Sequence, residues 1–206
     1  GNPQPPDATI GFMAAGYVLV GGHSSRLGTD KALADWNGQP LALRVAEHVR
    51  AAAGSVTLVG NPEKYRHLGL PVIADPVEGC GPLAGLSAAL QHSGADYNLV
   101  VACDMPRLRP EFLQFLLRVA EGEAADVVMP LDREGREEPL CAVYARRCRG
   151  PVAAALHCGV RKLTAAFSGL RVRRVPFSEY CDLDPDGTLF ANLNTPAEWA
   201  AANVHG

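Results

Sequence analysis

The sequence predicts an α/β fold: a single doubly wound, mostly parallel sheet with helices on both faces. Two patterns carry that reading. Short apolar runs alternate with stretches of roughly 10–15 residues whose apolar positions recur at helical spacing, as in parallel strands joined by crossover helices. Glycines and acids gather just after the apolar runs, where an open parallel sheet presents its ligand edge. No internal repeat and no Pro-, Gly- or Ser-rich linker splits the chain, so one domain is expected over residues 14–206.

Residues 1–13, with three prolines among Gln, Asn and Asp, are expected to form a disordered lead-in. Tyr17–Val20 is a short apolar run flanked by glycines and reads as the first buried strand, followed by a loop over Gly21–Asp30. From Pro40, the positions Leu41, Val45, Ala46, Val49 and Ala52 trace one helical face, and Gly54 ends it. Ser55–Val59 and Val72–Ala74 are the next strands. Pro82–His92 is helical, and Asn98–Ala102 is an apolar run suited to a central strand. Pro110–Ala120 is a further helix, and Asp126–Met129 and Leu140–Tyr144 are strands around the charged loop Asp132–Glu138. Two short helices over 151–158 and 161–168, a strand over Leu170–Pro176 and a last helix after Leu193–Pro196 complete the reading.

At 206 residues the chain can bury a large core. No apolar run approaches the ~18–20 residues that span a bilayer. The opening GNPQPPDATIGF lacks the basic and apolar parts of a signal peptide, so a cytoplasmic protein without a membrane partner is expected. A net charge of −3 argues against bulk nucleic-acid binding. Six cysteines without a C-x-x-C pair read as reduced thiols, and the histidines match no H-E-x-x-H spacing. Of 19 basic residues only Lys31, Lys64 and Lys162 are lysines, so the placement of each is informative.

The strongest motif is Leu19-Val-Gly-Gly-His-Ser-Ser-Arg-Leu-Gly-Thr-Asp-Lys31. Gly21 and Gly22 let backbone N–H groups approach a phosphate, while Ser24, Ser25, Arg26 and Lys31 add donors and charge. It matches neither a Walker A loop nor G-x-G-x-x-G, and its plain alternative is an ordinary strand-to-helix turn. Cys103-Asp-Met-Pro106 follows the central strand; Asp104 there suits Mg²⁺, or else caps the next segment. Gly79-Cys-Gly-Pro-Leu-Ala-Gly85 is a tight turn with Pro82 at the first helical position, or a ligand approach. Asn192-Leu-Asn-Thr-Pro196 is either a capping turn or a pair of ligand-holding amides. Cys80 and Cys103 read as packing residues.

In order and spacing, the blocks LVGGHSSRLGTDKA, ADPVEGCGPLAGL, CDMP, EPLCAVY, GVRKL and NLNTPAEW resemble the molybdenum cofactor guanylyltransferases, the MobA family. The resemblance runs from Tyr17 to about Trp199 and implies a Rossmann-like nucleotidyltransferase fold. It further implies transfer of GMP from Mg²⁺-bound GTP to the phosphate of molybdopterin or Mo-molybdopterin, with release of pyrophosphate. By position, Leu19, Val20, Gly21 and Gly22 would line the guanine and ribose site, Lys31 the phosphates and Asp75 the nucleoside. Asp104 would contact GTP and coordinate Mg²⁺, and Arg26 falls on a phosphate-loop arginine. Asn192 and Asn194 fall on an Asn pair that handles substrate. Val20 stands where Ala is more usual and Leu27 where Met is. Val59 occupies the position of a guanine-contacting Asn in some members, and Asn61 is the expected substitute.

Such a transfer needs no side-chain nucleophile, because the acceptor phosphate attacks the α-phosphorus in line; positioning and charge neutralisation suffice. Arg26 and Lys31 would then hold the leaving pyrophosphate. Arg133, Arg136, Arg161 and Lys162 are candidates for the acceptor phosphate. Transient contacts with cofactor-insertion proteins and apo-molybdoenzymes are also implied. The alternatives are a cytidylyltransferase making the CMP form, a sugar-phosphate nucleotidyltransferase of the same fold, and a non-catalytic protein that binds and delivers the finished cofactor. Gly21-Gly22 favours guanine, since cytidine-using relatives more often carry Ala-Gly there.

Overall fold

A computed structural model describes residues 13–21, 30–75 and 81–191. In chain order its elements are β1 (Ala14–Leu19), β2 (Asp35–Trp36), β3 (Gln39–Pro40), α1 (Leu41–Ala53), β4 (Thr57–Val59), α2 (Pro62–Tyr65) and β5 (Val72–Ile73). They continue with α3 (Pro82–His92), β6 (Tyr97–Ala102), α4 (Pro110–Glu123), β7 (Val127–Pro130), β8 (Cys141–Ala145), α5 (Arg149–His157) and β9 (Val172–Val175). Short 3₁₀ turns fill several connections, among them Lys31–Leu33 and Leu163–Phe167.

Seven strands form one sheet in the order β5-β4-β1-β6-β8-β7-β9. β1 runs parallel to β4 and β6, β4 to β5, and β7 to β9; β8 alone runs against its neighbours β6 and β7. The sheet is therefore mostly parallel, as expected. Alternation along β1 divides the core between its two faces. Val18 joins Leu58, Leu99 and Val101 under α1 and α4, while Tyr17 and Leu19 join Val59, Val100 and Tyr144 under α3 and α5.

The helices begin and end where local chemistry requires. Gly54, at φ +79°, terminates α1 with its N–H donated to the Arg50 carbonyl. Pro82 and Pro110 open α3 and α4, where a missing N–H costs nothing. Gly81 precedes α3 at φ +75° and ψ −168°, a conformation essentially reserved for glycine.

Several expectations need correction. The first strand starts at Ala14 rather than Tyr17, because the Met13 carbonyl already accepts from the N–H groups of Asp96 and Tyr97. Met13, expected within the lead-in over 1–13, is hydrogen-bonded to the strand edge; residues 1–12 lie outside the described residues. The segment 161–168 contains a 3₁₀ turn instead of an α-helix. The β2–β3 hairpin was not anticipated, although Asn37 (φ 51°) and Gly38 (φ 87°) form the Asn-Gly turn that favours one. α2 was also missed, despite its Asn-Pro start. The last helix expected after 193–196 lies outside the described residues.

Candidate functional site

Because β1, β4, β5, β6, β7 and β9 point one way, their carboxyl ends share one edge of the sheet. β4 and β5 lie on one side of β1 and β6 on the other, so chain order reverses at β1–β6, where open α/β sheets take their ligands. Gly21 follows β1, Asn61 follows β4, Asp75 follows β5 and Asp104 follows β6. The start of β8 and the loops after β7 and β9 complete the edge.

Lys31 and Asp104 interact electrostatically at this switch point. Asp104 is half-buried. Burial raises its pKa, and the Lys31 ammonium pulls it back towards the ionised form. No described helix starts within two residues of Asp104; the next one opens at Pro110, capped by Arg109, so the capping alternative has no helix to serve. Cys103 donates its N–H to the Leu19 carbonyl at 3.1 Å, tying the end of β6 to that of β1. Its thiol is pushed well up by burial, in keeping with a packing role.

Leu19 and Val20 are 7 % and 3 % exposed, and their carbonyls accept from Cys103 N–H and the Tyr65 hydroxyl. Gly21 is the exposed member of the trio. A Cβ there would meet only the Gly60 Cα, at 3.8 Å among the described residues, so packing does not explain the glycine. Asn61 leaves the sheet two residues beyond Val59, and its Oδ1 accepts the Glu63 N–H at 2.9 Å as the cap of α2. Val59 is core, 2 % exposed. Asp75 is half-buried at the end of β5.

The far half of the edge carries the charged loop. Asp132 is nearly buried and accepts from the N–H groups of Glu134 and Arg136 and from Arg136 Nε at 2.6 Å. Burial would raise its carboxyl, but those Arg136 and Glu134 bonds outweigh it and hold it below the usual range. Arg136 also pairs with Glu134 at 3.0 Å. Arg133 donates to the Pro185 carbonyl at 3.0 Å and stacks over Phe177. Arg133 and Arg136, two of the three arginines expected at the acceptor phosphate, are thus engaged within the protein. Exposed Lys162 lines a cleft of about 410 Å³ with Arg136, Glu137, Pro139 and Leu163; Arg161 precedes it, also exposed.

Three contributors were not singled out from sequence. Asp30 and Tyr65 join the ends of β1 and β4, and an Asp-Lys pair and an Asn-Pro helix start were the visible signals. Glu138 is the third. The antiparallel register pairs Val101 with Cys141, and Ala102 N–H bonds the Leu140 carbonyl, so Asp104 and Glu138 leave the sheet at corresponding positions. Burial, then Asp132, raises the Glu138 carboxyl to about 7, with Arg136 opposing and Asp104 adding. Gly22, Arg26, Asn192 and Asn194 lie outside the described residues. No described helix is long and apolar enough to cross a membrane.

Comparison with known proteins agrees with the fold. The profile of the MobA-like NTP transferase domain matches residues 16–172. A molybdenum cofactor guanylyltransferase of Desulfosudis oleivorans is 34 % identical over 191 residues, covering 92 % of this chain and 94 % of the relative. One of Cupriavidus metallidurans is 32 % identical, covering 87 % and 89 %. Among solved structures, molybdopterin-guanine dinucleotide biosynthesis protein A from Archaeoglobus fulgidus superposes with a TM-score of 0.80 at 29 % identity. That match covers 92 % of this chain and 97 % of the other.

Proposed function

The chain belongs to the MobA-like NTP transferase family, and from that premise we propose that it transfers GMP from GTP to the phosphate of molybdopterin or Mo-molybdopterin, releasing pyrophosphate. The observation that carries this reading is the electrostatic interaction of Lys31 and Asp104 at the sheet's switch point. A cation and a carboxylate in one half-buried place suit a metal-bound polyphosphate better than a neutral ligand.

The residues present fit a divalent cation. Asp104 offers hard carboxylate oxygen whose charge is disfavoured by burial and offset by the Lys31 ammonium and a backbone N–H. No group of three or more ligating side chains occurs among the described residues, which suits Mg²⁺: it keeps waters and takes the rest of its shell from substrate phosphates. When bound, such an ion supplies Lewis-acid stabilisation to the charge spread over the phosphates. Asp104 would hold it. Lys31 would orient the β- and γ-phosphates and neutralise the leaving pyrophosphate, with Arg26 as its partner in the same motif. Gly21 and Gly22 would bring main-chain N–H groups to the nucleotide, with Asp75 on the nucleoside. In-line attack by the acceptor phosphate requires no protein nucleophile, and the raised thiol of Cys103 argues against one.

The acceptor would lie on the far half of the edge, where Arg161, Lys162, Asn192 and Asn194 are its candidate contacts. Lys162 is best supported there, because it opens onto a cleft instead of closing an ion pair among the described contacts. The test is pyrophosphate release with molybdopterin and either Mg-GTP or Mg-CTP. Release with GTP at least tenfold above CTP is expected. A CTP preference would convert the reading to a cytidylyltransferase, and no release with either would leave a cofactor-delivery role.

A further inference from the structure

The hydroxyl of Tyr65 occupies an unusual position for a core residue. The side chain is 2 % exposed, yet its oxygen lies 2.7 Å from the Val20 carbonyl and 2.7 Å from Asp30 Oδ2, so one proton serves two acceptors. Burial and the neighbouring carboxylate push the phenol well above its ordinary range, so it remains a donor. These two acceptors stand at opposite ends of the motif that follows β1: Val20 enters it and Asp30 leaves it.

Asp30 is fully occupied on this side. Its Oδ1 accepts the Ala32 N–H at 3.0 Å and caps the turn Lys31–Leu33, while its Oδ2 also meets Lys64 Nζ at 2.6 Å. Tyr65 and Lys64, both from α2, hold this carboxylate, and Lys31 acts electrostatically on Asp104 and Cys103. Gly60 makes room for this arrangement. A Cβ at that position would come within 2.7 Å of Val20 Cγ2 and 3.0 Å of Tyr65 Cε2.

We propose that Tyr65, with Asp30 and Lys64, is a positioning clasp that closes the two ends of the phosphate-binding motif and aims Lys31 at the nucleotide phosphates. Tyr65 touches no reacting atom in this scheme; it acts through Lys31. The inference rests on the proposed use of a nucleoside triphosphate and extends it to a residue outside the motif. It also accounts for two of the three lysines in an arginine-rich chain: a compact ammonium fits beside a carboxylate already shared with a hydroxyl and an N–H.

Tyr65→Phe removes the hydroxyl and keeps the ring that packs on Gly60 and Val20. Binding of Mg-GTP and Mg-CTP is measured by calorimetry for the unsubstituted protein, Tyr65→Phe, Lys31→Ala and the double variant, with thermal midpoints alongside. The clasp predicts that Tyr65→Phe raises the Kd of the preferred nucleotide roughly tenfold, as misplacement of a charged contact does. In the Lys31→Ala background the same substitution should change Kd less than about twofold, because the group it aims is gone. An equal penalty in both backgrounds would reveal a merely structural hydroxyl and overturn the inference, as would unchanged binding in the single variant. If the unsubstituted protein binds neither nucleotide, the proposed function fails and the clasp falls with it. If it binds one and Tyr65→Phe binds it as well, only the clasp fails.

Discussion

A carboxylate that leaves the core at the end of a central strand must be stabilised by water, a donor or a cation. Asp104 is half-buried, its ionised form disfavoured by burial and favoured by Lys31. Removing the carboxylate should therefore remove a ligand and little packing. Asp104→Ala is expected to lower Mg²⁺-dependent pyrophosphate release by at least a hundredfold, while circular dichroism and the urea midpoint stay near those of the parent. Glu138 gives a second residue-level test through pH. Its folded pKa of about 7 lies above its ordinary 4.5, so the folded protein holds the extra proton between those values. In metal-free protein the Glu138 contribution to stability should thus decline as pH rises from about 4.5 to about 7. Glu138→Gln should flatten that slope in urea titrations run across the window. An unchanged slope would mean that Glu138 does not carry the pH dependence. Sequence made Asp104 visible as a candidate ligand, because the residue closely follows an apolar run. It hid Glu138, whose position opposite Asp104 depends on a register between strands 40 residues apart, as Val101 and Cys141 show.

At the scale of elements, local signals and long-range pairing had different legibility. α3 was read with both its ends because Gly81, Pro82 and the 3.6-residue spacing all act within one segment. Gly81→Ala tests that local chemistry. Its backbone conformation excludes a Cβ, so a loss of about 1–3 kcal/mol in urea unfolding is expected, with m unchanged. The β2–β3 hairpin and α2 were equally local, and their Asn-Gly and Asn-Pro signals were present. They are too short to show apolar periodicity. The direction of β8 was another matter. An apolar run such as Cys-Ala-Val-Tyr-Ala reads the same in either direction, and only its hydrogen bonds to β6 and β7 reveal that it runs against both.

At the scale of the whole molecule, the sheet separates the candidate ligands. The β1–β4–β5 half holds Gly21, Asn61 and Asp75, the β8–β7–β9 half holds the charged loop, and β6 delivers Asp104 between them. A nucleotide seated on one half would bridge three strand ends and the clasp made by Tyr65, so binding should stabilise the global fold. At about 100 times its Kd, Mg-GTP should add roughly 2.7 kcal/mol by linkage. Differential scanning calorimetry should show a higher midpoint with Mg-GTP, and little rise with GTP in EDTA. Equal midpoints would show that the nucleotide does not engage the described edge.

Composition, periodicity and motif order were enough to establish the α/β class, the succession of most elements and the strand ends at which polar residues gather. These are properties of neighbours along the chain, governed by propensity and spacing. The reversal of β8, the opposition of Asp104 and Glu138, and the bonds from Tyr65 to Val20 and Asp30 came from folding. Each joins residues well separated along the chain, by 15 positions for Val128 and Val143 and by 45 for Tyr65 and Val20. Such contacts are set by which faces pack and which strands pair, and no local pattern encodes them.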